Sequence, residues 1–530
     1  MQITALLFDA FLKCKMKAHL LSSAYTEACY PLHQHSNFVR LLSETFERQC
    51  SNYLIDKYPA QYFIGTLPME DIVSGKHLII IGPTVTFDDL ASCIHALEKE
   101  SNRAGVGINK YKPIRFVASE IPDRTDKLLL VFDAIVFARS CGSMPRSGKI
   151  IYGRQRRTIT VQLAKLLPKT SAKIDELRAT LATDVAPTLS LIKHCTECQF
   201  ELHCKNKAIE KDDLSLLGGI KPKELAKLRN RGISTVNQLS YGFHPRRKRR
   251  RSPEINLKYH HSLKALSIRE KRIYISGSRA LDTSGNALYF DVEGVPDRKF
   301  YYLIGVRFPG GGGSAQRSLW ADNDAGEERI WKEFLQIVTE VEHPRLFHYG
   351  SYETMFLRHM RKRYGDNTTN GHSIDNLIKG AQNVLSHLYG HIYFPTYSNG
   401  LKEIASAVGF RWSTESPSGQ RSVLLRHHWE LTGSESAKQE LVAYNADDCK
   451  ALELVTSTAL RIALGDDASS NLPVANVESL KSALPYSLGR VDFALPELEQ
   501  INRRAYWDYQ RSRVYVRSNK RLKRCNRELT

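Results

Sequence analysis

Residues 287–294, ALYFDVEG, constrain the fold of this chain more than any other stretch. The run is apolar and aromatic enough to be a buried strand, yet it carries Asp291 and Glu293 two positions apart. Residues i and i+2 of a strand point to one face, so both carboxylates project together and repel. Burying them unpaired is costly. The strand must therefore open onto something cationic, and a divalent metal is the first candidate.

If these acids hold metal, further ligands must come from later in the chain. In LFHYGSYETMFLRHM a strand gives way to a helix at SYE, which puts Glu353 on the first helical turn. In KQELVAYNADDCKALELV, helical by its periodicity, Tyr444 and Asp448 are i and i+4 and share a face with Leu441 and Leu452. Asp447 points about 100° away on the same helix. Around these acids, NALYFDVEG, YYLIGVRF and AQRSLWAD read as an antiparallel meander, with PGGGGS as a hairpin loop. A helix from about residue 325 and the strand RLFHYG follow.

At 530 residues the chain is too long for one core, and three or so domains are expected. Its formal charge of +20 is concentrated: residues 242–274 carry eleven Lys/Arg against two acids, and residues 501–530 carry ten against two. Charge clustered this way suggests the footprint of a polyanion, nucleic acid before any other. The uninterrupted run Arg246, Arg247, Lys248, Arg249, Arg250, Arg251 lies between prolines and reads as a linker or arm. The longest apolar run, LLLVFDAIVF, is too short to span a membrane and is broken by Asp133. MQITALLFDAFL is a poor signal peptide, so the ten cysteines point to a reducing, cytoplasmic setting where clustered thiols bind metal.

The first part of the chain mixes strands (HLIIIG, YKPIRFV, GKIIYG, RTITVQL) with helices, among which FDDLASCIHALEKE and DKLLLVFDAIVFARS are read. It ends in HCTECQFELHC, where Cys195, Cys198 and Cys204 are spaced C-x2-C-x5-C. Three thiolates converge on one metal or cluster only if a fourth ligand arrives from elsewhere, and Cys14 in FLKCKMKAHLL is the best donor. One cysteine near the start and three after an α/β domain resembles the iron–sulfur RecB-like nucleases, including the CRISPR-associated exonucleases. The resemblance implies a PD-(D/E)XK domain whose two ends are stapled by a 4Fe-4S cluster, with a zinc site using His194 or His203 as the alternative. The active form of that domain needs an Asp near His95 and a Glu-x-Lys on the next strand. YKPIRFV offers Lys112 and Arg115 but no Glu-x-Lys, so a degenerate nuclease fold is expected.

Next, LSLLGGIKPKELAKLRNRGISTVNQL resembles a helix-hairpin-helix. Gly218 and Gly219 would let backbone amides approach a phosphate, and Lys221 and Lys223 open the second helix. An ordinary helical hairpin packed on its neighbours is as good a reading of these residues alone.

The acids Asp291, Glu293, Glu353 and Asp448 with Tyr444 resemble the DEDD exonucleases of the ribonuclease H-like superfamily, specifically its YprB-type members. There D-x-E lies on the first strand, an acid in N-x3-F-D follows strand four, and Y-x3-D lies on a late helix. His348 and Tyr352 stand here where Asn and Phe are usual, and Glu353 replaces an Asp. The resemblance implies two Mg²⁺ or Mn²⁺ ions about 4 Å apart, bridged by Asp291, with Tyr444 orienting the attacking water. It also implies a mixed five-stranded sheet, with SNGLKEIASAVGF as a helix facing the site.

The expected architecture is thus α/β and multidomain. A degenerate PD-(D/E)XK-like, RecB-like domain covers residues 1–210, a helix-hairpin-helix-like segment 211–244 and a basic linker 245–280. A ribonuclease H-like domain covers 281–465 and a basic extension 466–530. The expected activity is a metal-dependent 3′–5′ exonuclease acting on DNA. A non-catalytic nucleic-acid-binding module and a structure-specific endonuclease using the same acids are the alternatives.

Overall fold

The computed structural model describes residues 2–22, 34–100, 111–183, 185–243, 259–277, 281–310, 313–365, 374–413, 419–465, 472–483 and 497. The basic run 246–251 and the tail 501–530 lie outside the described residues. The chain divides into two compact units, residues 1–204 with 296–298, and 205–295 with 299–530.

The first unit is built on a six-stranded sheet in the order Tyr62–Ile64, Ile79–Ile81, Ala96–Lys99, Tyr111–Val117, Ser147–Tyr152, Arg157–Gln162. The helix Arg124–Cys141 starts at an Asp123 cap that accepts from Asp126 N, and every residue from Leu128 to Phe137 is buried. Apolar on all sides apart from Asp133, this stretch is what a helix needs when it is enclosed by the sheet, the N-terminal helix Ala5–Lys13 and the helix Leu167–Leu181. FDDLASCIHALEKE is not a helix. It forms the strands Leu90–Cys93 and Ala96–Lys99, with a tight turn at Asp88 (φ +49°) before them. The spacing of Leu90, Ile94 and Leu97 imitates a helical stripe. Pairing of these strands with Ile3–Thr4, Thr84–Phe87 and Tyr111–Val117 overrides it.

The second unit carries a five-stranded sheet in the order Gly313–Trp320, Phe300–Gly310, Asn286–Val295, Pro344–His348, Gln382–Asn383. The first three strands form an antiparallel meander, and the last two run parallel to the central one. The central strand buries Leu288, Phe290 and Val292 on one face against Phe334 and Phe356. Its other face carries Asp291 and Glu293. The 29-residue helix Glu435–Ala463 packs there, held close because Gly305, the register partner of Asp291, has no side chain. A Cβ on Gly305 would sit 2.1 Å from Asn445 Oδ1.

Residues 259–277 are not a linker. His261–Glu270 is a helix, and Ile273–Ile275 is the middle strand of a small sheet between Ile392–Tyr393 and Val474–Asn476. Here the basic residues concealed an amphipathic element: Leu263 and Leu266 are core, and Lys264 itself is buried. Its ammonium donates to Phe394 O (2.9 Å), Thr396 Oγ1 (2.8 Å), Ser398 O (3.2 Å) and Asn399 Oδ1 (2.9 Å). The strand Val474–Asn476 likewise draws the start of the expected extension into the fold.

Candidate active site

Asp291 and Glu293 project from the central strand, and Asp448 and Tyr444 from the overlying helix, as their spacings require. Ligand atoms of Asp291, Glu293 and Asp448 lie within 4.8 Å of one another. Among the described residues no other group of three or more His, Cys, Asp or Glu meets that distance.

Each acid of the trio is held by a neighbour. Asn445 Nδ2 donates to Asp291 Oδ2 at 2.8 Å, Ser422 Oγ to Glu293 Oε2 at 2.6 Å, and Trp412 Nε1 to Asp448 Oδ1 at 2.7 Å. Burial is the main force pushing all three acids above the usual carboxylate range; repulsion within the trio adds to it at Asp291 and Glu293, and the charge of Asp447 adds to it at Asp448. Glu293 is pushed up to about 8. Lys402 lowers Glu293 and Asp448 without cancelling three carboxylates, so this crowded, oxygen-only donor set is short of positive charge, and a hard divalent cation such as Mg²⁺ or Mn²⁺ fits it.

Glu353 is buried on the first turn of the helix Tyr352–Tyr364. It lies outside the trio, with Oε2 3.5 Å from His348 Nδ1, but its charge reaches both Asp291 and Glu293. Tyr444 is buried and hydrogen-bonds Asp448; burial and the nearby carboxylates hold its hydroxyl firmly protonated. Asp447 faces elsewhere. It accepts from Ser413 N (2.8 Å) and Ser413 Oγ (2.6 Å) and pairs with Lys450 at 3.1 Å.

Lys402, Asn445, Ser422 and Trp412 at this site were not identified from sequence. Asn445 had a readable signal, since it adjoins Tyr444 and is i−3 from Asp448 on one helix. Lys402 lies on the helix Leu401–Ala407, in the stretch expected to face the site, and its Nζ donates to Tyr444 OH. The other two depend on tertiary packing.

Residues 288–460 match the family model of the ribonuclease H superfamily. They form a ribonuclease H-like domain. No curated protein matches the chain. The sheet order found here, an antiparallel meander followed by two parallel strands, is the mixed five-stranded sheet that the resemblance implied, and the ribonuclease H-like domain presents its acids on the central strand of that sheet.

In the first unit, two buried acids, Asp133 on the helix Arg124–Cys141 and Glu98 on the strand Ala96–Lys99, are already paired. Asp133 pairs with Arg115 at 2.9 Å and accepts from Ser92 Oγ at 2.6 Å. Glu98 lies 3.1 Å from Lys112 and 2.6 Å from Lys149, and accepts from Tyr58 OH. His95 Nδ1 accepts from Phe116 N, and burial pushes the imidazole down to about 3, so it is neutral. The cysteines share one neighbourhood. Cys14 caps the helix Ala5–Lys13, Cys195 lies within the turn Lys193–Glu197 and Cys198 follows it, and buried Cys204 packs with Leu20 and Phe200. Burial raises the Cys195 and Cys198 thiols, and Cys14 is close enough to add to both.

In the second unit, Lys221 caps the helix Pro222–Arg229, and Lys221 and Lys223 are exposed. Gly219 is exposed with φ +88°. Gly218 departs from expectation. Its amide donates to Tyr397 O at 2.9 Å, and a Cβ would lie 3.0 Å from Ser398 Cβ, so it serves packing of the hairpin rather than a phosphate.

No helix among the described residues is long and apolar enough to cross a membrane.

Proposed function

We propose that this protein is a metal-dependent nuclease whose ribonuclease H-like domain hydrolyses phosphodiester bonds in DNA from the 3′ end. The observation that carries the reading is the convergence of Asp291, Glu293 and Asp448 within 4.8 Å at a buried site. These acids would hold Mg²⁺ or Mn²⁺, which supplies phosphate polarisation and a more acidic water. Asn445, Ser422 and Trp412 fix the carboxylates against their mutual repulsion. Tyr444 accepts a hydrogen of the attacking water and so aims its oxygen at phosphorus. The water oxygen bonds to phosphorus, the P–O3′ bond breaks, and the 3′-oxygen leaves with a proton. Glu353 adds negative charge that reaches Asp291 and Glu293.

The exposed Lys221 and Lys223 beside Gly219 and the run Arg246, Arg247, Lys248, Arg249, Arg250, Arg251 would grip the phosphate backbone without reading sequence. Cys14, Cys195, Cys198 and Cys204 would hold a 4Fe-4S cluster, or zinc, as a staple of the first unit rather than as a reaction centre.

The test is degradation of end-labelled linear against circular single-stranded DNA with Mg²⁺ or Mn²⁺. Shortening of the linear strand from its 3′ end, with the circle intact, is expected. Cutting of the circle would make the protein an endonuclease. Binding without cleavage would leave a nucleic-acid-binding module.

A further inference from the structure

Lys402 brings a positive charge to the carboxylate site. Its Nζ donates to Tyr444 OH at 2.5 Å and lies 4.2 Å from the centroid of the same ring. Asp448, Glu293 and Asp291 all act on this ammonium. A phenol has one donor and two acceptor lone pairs. The Tyr444 hydroxyl shares a hydrogen bond with Asp448, which as a carboxylate only accepts, so the phenol proton goes to Asp448. Lys402 takes one lone pair, and a single lone pair remains.

The backbone that presents Lys402 is fixed from several directions. Lys264 holds Phe394 O, Thr396 Oγ1, Ser398 O and Asn399 Oδ1. Tyr349 OH donates to Asn399 O, Gly218 N to Tyr397 O, and Ser398 N to Glu403 Oε2. A lysine on so well anchored a segment meets the tyrosine in a set geometry, before any ligand arrives.

We infer that Lys402 is a positioning residue for phosphodiester hydrolysis, locking the Tyr444 hydroxyl so that its one free lone pair receives the attacking water. The inference rests on the nuclease reading above. Lys402 opposes the metal electrostatically while it assists turnover, and this gives its loss a signature that a packing role does not share.

The experiment uses the full chain with Lys402→Met, Lys402→Arg, Tyr444→Phe and the Lys402→Met/Tyr444→Phe double variant. Lys402→Met should lower kcat about a hundredfold, the scale of a misaimed reacting group, with KM little changed. By calorimetry it should bind Mn²⁺ about tenfold tighter or more, because a unit charge a few ångströms from a divalent ion costs that much even when well screened. Lys402→Arg should recover most of kcat, and the double variant should be no slower than Tyr444→Phe alone. Weaker Mn²⁺ binding in Lys402→Met, an unchanged kcat, or losses that multiply in the double variant would overturn the inference. Cleavage that persists in Asp291→Ala would sink the nuclease reading instead. In that event the Mn²⁺ measurement still decides whether Lys402 belongs to the carboxylate site.

Discussion

Asn445 donates its side-chain amide to Asp291 twice, to carboxylate Oδ2 at 2.8 Å and to the main-chain carbonyl at 3.2 Å. One residue thus ties the long helix to the strand it covers and sets the direction of the central acid. Asn445→Ala should weaken Mn²⁺ binding about 10- to 100-fold, the usual cost of losing a group that orients a ligand. Gly305→Ala should act through the same contact, because its Cβ would meet Asn445 Oδ1. It should destabilise the protein by about 1–3 kcal/mol as overpacking does. Calorimetry with Mn²⁺ and urea unfolding check the pair.

The acids make stability depend on pH and metal together. Glu293 rises from an ordinary value of 4.5 to about 8, and Asp291 and Asp448 also rise. Between about pH 4.5 and 8 the folded protein holds protons that the unfolded chain has released, so metal-free stability is lost as pH rises through that window. Metal must displace the same protons, so its stabilising effect should grow with pH. Scanning calorimetry at pH 5.5 and 8.5, with and without Mn²⁺, should show the metal-dependent gain in Tm widening at the higher pH. Glu293→Gln should flatten the metal-free slope.

What could be read from sequence was local. D-x-E on a strand and Y-x3-D on a helix fix which side chains share a face, and those faces meet. Asp447 was separable from Asp448 for the same reason, and the structure gives it Ser413 and Lys450 as partners. Lys402 lies in the stretch read as facing the site, but Ser422 and Trp412 reach it only through packing between elements distant in sequence, which no spacing records. FDDLASCIHALEKE misleads because Leu90, Ile94 and Leu97 fall at helical spacing, while the strand pairing that decides its structure comes from residues distant in sequence. Lys264 misleads in another way: lysine seldom lies in a core, and only four oxygens gathered from residues 394–399 make that burial tolerable.

The cysteine staple has a separate readout. Protein purified without air should contain iron and sulfide, or zinc, and Cys195→Ser should lower that content. The same substitution should make residues 1–204 unfold at lower denaturant, while the ribonuclease H-like domain is unaffected, because metal affinity in such a site is folding energy. Limited proteolysis across a urea series follows the two units independently. Unchanged metal content in Cys195→Ser would remove this site from the account.

DNA affinity should fall steeply with salt, with a log–log slope near −0.9 per phosphate neutralised. Replacing Arg246, Arg247, Arg249 and Arg250 by Ala should flatten that slope, and Lys221→Ala/Lys223→Ala should do so by a smaller amount. Mn²⁺ binding should not change in either variant. A slope that stays the same would make these residues a solvated surface.

The measurement that bears most directly on the central claim compares Mg²⁺- or Mn²⁺-dependent cleavage of linear DNA by the parent, Asp291→Ala, Tyr444→Phe, Asp447→Ala and Glu353→Asp. Asp291→Ala should abolish cleavage, Tyr444→Phe should leave a slow enzyme, Asp447→Ala should cleave nearly as the parent does, and Glu353→Asp should be tolerated. DNA binding in metal-free buffer should survive in all four. If Asp291→Ala cleaves as fast as the parent, the carboxylate trio is not the active site.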